Sequence, residues 1–162
     1  MKRRLAGLAG GCAIAVALAG CSSTTRSVPA TVGSTLTLND GTGDTINVTL
    51  LKFQDPATPA GSADAPPAGD SLAEVLLKVT GITGTYQYSA TTAVALIGSD
   101  KQTYSAGSES LIGCSGFKGG QVTVTAGHTV TGCVAVEIKK TIKAAKVEYD
   151  AGYVGTTGVW IP

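Results

Sequence analysis

The sequence predicts an all-β domain, a sandwich of two packed sheets, and three observations carry that expectation. Short runs rich in Val, Ile, Thr and Tyr recur from Thr35 onward, several of them alternating apolar and polar residues with the period of a strand. Clusters of Gly, Ser, Asn and Asp separate these runs at the intervals expected of turns between strands. Beyond the N-terminal leader, no apolar stripe of helical period lasts three turns.

Lys2, Arg3 and Arg4 open the chain, and Leu5 to Ala19 follow as 15 residues without a charge. A basic start ahead of an apolar stretch of about 7–15 residues is the pattern of a secretory signal peptide. A transmembrane helix needs about 20 apolar residues, and this run is shorter and broken by Gly7, Gly10 and Gly11. It closes on Leu18-Ala19-Gly20-Cys21, which resembles the bacterial lipobox. That resemblance implies cleavage between Gly20 and Cys21, a diacylglyceryl group on the Cys21 sulfur and an acylated new amino terminus. Each buried methylene contributes about 0.8 kcal/mol, and stable anchoring takes more than one chain. Cys21 is thus expected to hold the protein on the extracytoplasmic side of the cell membrane.

Residues 1–20 are then a lipoprotein signal peptide, 21–34 the lipidated cysteine with a flexible polar tether, and 35–162 the sandwich domain. The tether, "SSTTRSVPATVGS" over 22–34, has little apolar content and contains Pro29 and Gly33. Strands follow at "TLTL" (35–38) and, beyond the breaker "NDGTGD", at "TINVTLLKF" (45–53), with Ile46, Val48 and Leu50 on one face. In "LAEVLLKVT" (72–80), Ala73, Val75, Leu77 and Val79 oppose Glu74, Lys78 and Thr80. "TAVALIGSD", "KQTYSA", "QVTVT", "TVTGCVAVEI", "AKVEY" and "GVWIP" complete the set. Val122, Val124, Val130, Val134, Val136, Val147 and Tyr149 are expected inside, with Trp160 closing the core. One segment breaks the rhythm: "QDPATPAGSADAPPAGDS", residues 54–71, holds four prolines and no aromatic. Each proline removes a ladder donor, so the segment is expected to be a disordered surface loop.

Loss of Lys2, Arg3 and Arg4 leaves nine basic against eleven acidic side chains in a chain of 142 residues. That balance gives nucleic-acid binding no basic surface to run on. Lys139, Lys140, Lys143 and Lys146 cluster among Glu137, Glu148 and Asp150, as on a solvated face. With Cys12 in the leader and Cys21 acylated, Cys114 and Cys133 remain, and an even pair in an exported domain reads as a disulfide. The bridge is worth about 3 kcal/mol in the chain-entropy model. Alternation sets Cys133 opposite Val134 and Val136, which puts the bridge on an outer face or an edge.

Several stretches resemble the immunoglobulin-like domains of secreted proteins and lipoproteins of Gram-positive bacteria, a group that includes a small secreted mycobacterial antigen. They are "GSTLTL", "INVTLLKF", "EVLLKVTG", "LIGSDKQTY", "VTAGHTVTGCVAVEI" and "KVEYD", between Gly33 and Asp150. Thr80-Gly81 departs from the asparagine common after that strand, and Val136 from a common aromatic. The resemblance implies an immunoglobulin-like β-sandwich and brings no catalytic residues with it.

The residues themselves offer little chemistry. His128, the only histidine, lies in "TAGHTV" between two strands, where an exposed turn explains it. No G-x-S-x-G, P-loop or dinucleotide motif occurs, and one histidine with two separated cysteines is a poor zinc set. Asp40, Thr42 and Asp44 carry calcium-type oxygens, yet no bidentate glutamate completes an EF-hand series, and a hairpin turn accounts for them. Tyr86 and Tyr88 alternate in "TYQYS" and are expected to face the core. The resulting expectation is a non-catalytic envelope module with no cofactor or metal, binding a protein or lipid partner. A carrier of an apolar ligand held between the sheets, or a hydrolase with an unrecognised site, are the alternatives.

Overall fold

The computed structural model describes residues 30–162. In chain order they form β1 (Ala30–Thr31), β2 (Thr35–Asn39), β3 (Thr45–Ala57), β4 (Asp70–Thr83), β5 (Thr85–Ser89), a single helical turn α1 (Ala90–Ala93), β6 (Val94–Gly98) and β7 (Thr103–Ser105). β8 (Gln121–Thr125), β9 (Thr129–Lys139), β10 (Ala144–Asp150) and β11 (Thr157–Ile161) follow. One sheet has the order β1-β11-β10-β6-β7, the second β2-β3-β4-β9, and β5 pairs with β8 separately. This is the expected immunoglobulin-like β-sandwich.

The long ladder between β4 and β9 runs without a register break from Asp70↔Lys139 to Thr80↔Thr129. Because side chains alternate across a strand, that register puts Ala73, Val75, Leu77 and Val79 beside Val134, Val136 and Ile138 on the inner face. Val94, Leu96, Val147 and Tyr149 answer from the other sheet. Of the valines expected inside, Val130 is the one that packs at the margin, half-buried. Trp160 is fully buried, and its indole N–H donates to the Ser34 carbonyl at 3.0 Å. The polar edge of a buried indole is thereby satisfied, and β11 is fastened to the corner where β1 passes into β2.

Two expectations change. Ala30 and Thr31, which fall in the span 21–34 assigned to the tether, pair in parallel with Trp160 and Ile161 and belong to the domain. The 54–71 segment is not a free loop. β3 continues to Ala57, and Pro56 falls where the register with β4 shifts between Gln54 and Ala57, so its missing donor leaves no ladder bond unmade. Beyond it, Ile112 N–H donates to Thr58 O at 2.9 Å and Ala60 N–H to Ser110 O at 2.8 Å. Asp64 Oδ1 accepts the Ser110 N–H at 2.9 Å. The segment is ordered by a partner some fifty residues further along the chain.

Candidate functional site

That partner also builds a cleft. After β7, Ala106 bridges to Val136 and the Gly107 N–H donates to Ala135 O at 2.9 Å, so the chain leaves one sheet and crosses onto the outer face of the other. There Leu111 packs on Leu72 and Ala135 as a small second core. Cys114 is bonded to Cys133 with their Cα atoms 6.0 Å apart, a usual disulfide spacing. Cys133 N–H donates to Ser115 O at 3.0 Å. On the other, inner side of β9, Phe117 joins the main core and lies over Gly132, where an added Cβ would come within 2.6 Å of the ring, so only glycine lets the phenyl group down onto the strand. The bridge thus sits on the outer face of the β4–β9 pair, as alternation required, but beneath a covering strap.

Between strap and sheet lies a cleft of about 320 Å³ lined by Ala90, Glu109, Leu111, Cys114, Phe117 and Val134, among others. Its size is at the low end for small-ligand pockets, which run from about 300 Å³ upward. Glu109 Oε2 is buried without a hydrogen-bond partner and lies against Gly107. Nearby, burial first and the carboxylates of Asp70 and Glu109 next push the Glu137 carboxyl above its usual range. The cleft thus combines apolar side chains with one buried carboxylate, that of Glu109. Glu109, Leu111 and Phe117 were not singled out by sequence, since none belongs to an alternating run.

The other candidate residues are distributed elsewhere. Gly20 and Cys21 lie outside the described residues. His128 is exposed in the β8–β9 turn, and its Nδ1 is 3.0 Å from Thr125 Oγ1 and 3.3 Å from Ala126 O, so its contacts close its own turn. Asp40 is consumed by the β2–β3 turn. Its Oδ1 accepts the N–H groups of Thr42 at 2.8 Å, Gly43 at 3.0 Å and Asp44 at 2.9 Å, and its Oδ2 accepts the Thr42 hydroxyl. Those bonds, the Thr42 hydroxyl foremost, hold its carboxyl below the usual range. Tyr86 is buried, as expected, and its hydroxyl lies 3.2 Å from that of Tyr149. Tyr88 is half-buried beside it, with ring centroids 6.4 Å apart. The four clustered lysines are all exposed. Among the described residues no group of three or more His, Cys, Asp or Glu is placed to hold a metal, and no helix is long and apolar enough to cross a membrane.

Fold and disulfide together define an immunoglobulin-like sandwich with a bridged strap. No family model matches the chain, and no curated protein does. Among solved structures it is similar to MPT63, a secreted protein from Mycobacterium tuberculosis, with a TM-score of 0.62 and 19% identity over 83% of this chain and 97% of that one. A functionally unknown protein from Listeria monocytogenes aligns over 81% of this chain and 83% of its own, at 13% identity and a TM-score of 0.48. At such identity the mycobacterial likeness shows the fold.

Proposed function

We propose that the protein is a lipoprotein of the cell envelope, held outside the cell membrane by acyl chains on Cys21 and acting there by binding rather than by catalysis. Leu18-Ala19-Gly20-Cys21 after a short apolar run supports the anchor. The Cys114–Cys133 bridge supports an oxidising compartment, and the secreted character of the mycobacterial neighbour points the same way. The observation that carries the non-catalytic reading is the distance between the only histidine and the cleft. His128 precedes β9, five residues or about 17 Å of strand before Cys133. Both cleft cysteines are oxidised, and among the described residues no serine or threonine hydroxyl of the cleft is hydrogen-bonded to a carboxylate or an imidazole. No hydroxyl of the cleft is therefore held against a base that would activate it. A carrier with its ligand between the sheets meets an interior already filled by Trp160, Tyr149, Leu50, Leu77 and Leu96.

A photo-crosslinking residue at exposed Ser110, on the cleft rim, tests this in intact cells. A discrete adduct is expected from that position and none from exposed Lys146 on the other sheet. Turnover of an ester, glycoside or peptide by the purified domain, abolished by Glu109→Gln or His128→Ala, would overturn the reading.

A further inference from the structure

The β10–β11 connection, residues 151–156, places an aromatic ring almost entirely in solvent. Tyr153 is 97% exposed and Val154 beside it 68%. The loop has a defined shape all the same. Ala151 N–H donates to Thr156 O at 3.2 Å, Gly155 N–H to Gly152 O at 2.8 Å and Thr156 N–H to Asn39 O at 2.8 Å. Asn39 N–H in turn donates to Thr156 Oγ1 at 2.8 Å. The loop is also seated closely on the β2–β3 turn, since a Cβ added at Gly155 would lie 2.6 Å from Asn39 O. A fixed loop that holds a tyrosine and a valine outward differs from the scattered apolar residues that any surface carries. From Ala151 to Pro162 the chain has no charged side chain.

The direction of β1 says what lies beyond that loop. Ala30 and Thr31 run parallel to β11, so the N-terminal end of β1 points to the side on which β11 begins, toward the β10–β11 loop. Nine residue steps lead from the acylation site, Cys21, to Ala30. Even fully extended they span at most about 30 Å. Ala30 is level with Trp160, three residues or about 10 Å of strand from Thr157. Val147, the partner of Trp160, lies equally three residues from Ala144 at the other end, so the direction of β1, and not the reach, turns this end of the sandwich toward an anchor at Cys21.

We infer that the Tyr153-Val154 loop rests on the membrane surface that carries the anchor, with the tyrosine ring at headgroup level and the sandwich standing above it. This rests on the lipid-anchor reading. Tyrosine favours the interface, where its ring is half in hydrocarbon and its hydroxyl in water. Tethering makes a weak contact sufficient, because the loop is presented at high effective concentration. The contact is not coulombic. The turns at this end (39–45, 83–85, 125–129 and 150–156) contain Asp40, Asp44 and Asp150 and neither lysine nor arginine. Lys101, Lys139, Lys140 and Lys143 lie in the turns at the other end, with Asp64, Asp70 and Asp100 among them. On anionic lipid the loop contact should strengthen as salt screens the aspartates, whereas a contact through the lysines would weaken.

The test uses the acylated mature chain, purified from membranes and reconstituted into vesicles of phosphatidylcholine with a quarter phosphatidylglycerol. An environment-sensitive fluorophore is attached at Val154→Cys or, separately, at Lys140→Cys, and quenched with spin-labelled lipid. Quenching several-fold stronger at 154 than at 140, rising with salt and reduced by Tyr153→Ser, is the expected result. Equal quenching at the two positions, or stronger quenching at 140 that falls with salt, overturns the inference while leaving the anchor intact. A chain that carries no acyl group and does not float with vesicles overturns the anchor and the inference together.

Discussion

Replacing Cys114 and Cys133 together by alanine tests how the strap is held. The bridge joins residues 19 apart in sequence. For a closed loop of that length the chain-entropy model gives about 3 kcal/mol at 25 °C. With an unfolding entropy near 2.1 cal/mol/K per residue over a domain of about 130 residues, that loss lowers Tm by about 11 °C. The fold itself should survive, because Ala106 still bridges Val136 and Leu111 still covers Leu72 and Ala135. Denaturant titration and thermal melting give the global figure. Amide exchange adds the location: the Gly107 and Ile112 N–H groups, which tie the strap to β9 and to Thr58, should exchange faster. Amides of the β4–β9 ladder should keep their protection relative to the new global stability. A loss below about 1 kcal/mol with strap amides as protected as before would refute the reasoning, because the strap would then dock without its covalent tie.

Three further outcomes are expected. Tyr149→Phe leaves the buried Tyr86 hydroxyl without its partner and should cost about 1–2 kcal/mol in denaturant titration; a neutral result would contradict the pairing. Burial pushes the Tyr149 hydroxyl up to about 12 from 10.0, so the native state resists ionisation and wild-type stability falls as pH rises through that window, less so in the variant. Asp40→Ala should destabilise by about 1 kcal/mol at neutral pH, since three backbone donors lose their acceptor. The Asp40 carboxyl is held below its usual 3.8, so its contribution is present above that pH and lost as pH falls through the lower folded value; a difference that persists in strong acid would refute the assignment. His128→Ala, in an exposed turn, should shift stability by no more than about 0.5 kcal/mol and leave the cellular phenotype unchanged. A well-folded variant without that phenotype would favour the hydrolase.

What the sequence made legible was what alternation encodes locally. Val122, Val124, Val134, Val136, Val147 and Tyr149 point inward because a strand with one buried face must place every second residue there. Cys133 falls on the other face by the same rule, and its pairing with Cys114 followed from counting cysteines in an exported chain. The features that escaped depend on partners far along the chain. Residues 58–60 are ordered by 110–112, and nothing in a run of proline, alanine and glycine announces that pairing. β1 is two residues long and acquires its strand character from Trp160 and Ile161 at the other terminus. The cleft arises from Phe117 settling on Gly132, a fit between a ring and a missing Cβ fifteen residues later, which carries no periodic signal. The outward Tyr153 sits in "AGYVGT", where glycines hide the difference between a core residue and an exposed one.

The central claim, a binding module anchored through Cys21, meets its most direct test in mass spectrometry of the N-terminal peptide from protein isolated with the membranes of its own cells. The account predicts a peptide that begins at Cys21 and carries a diacylglyceryl thioether, and predicts that Cys21→Ser accumulates as an uncleaved, unacylated precursor. A mature chain that begins at any other residue, or a Cys21 peptide with a free thiol, would contradict it.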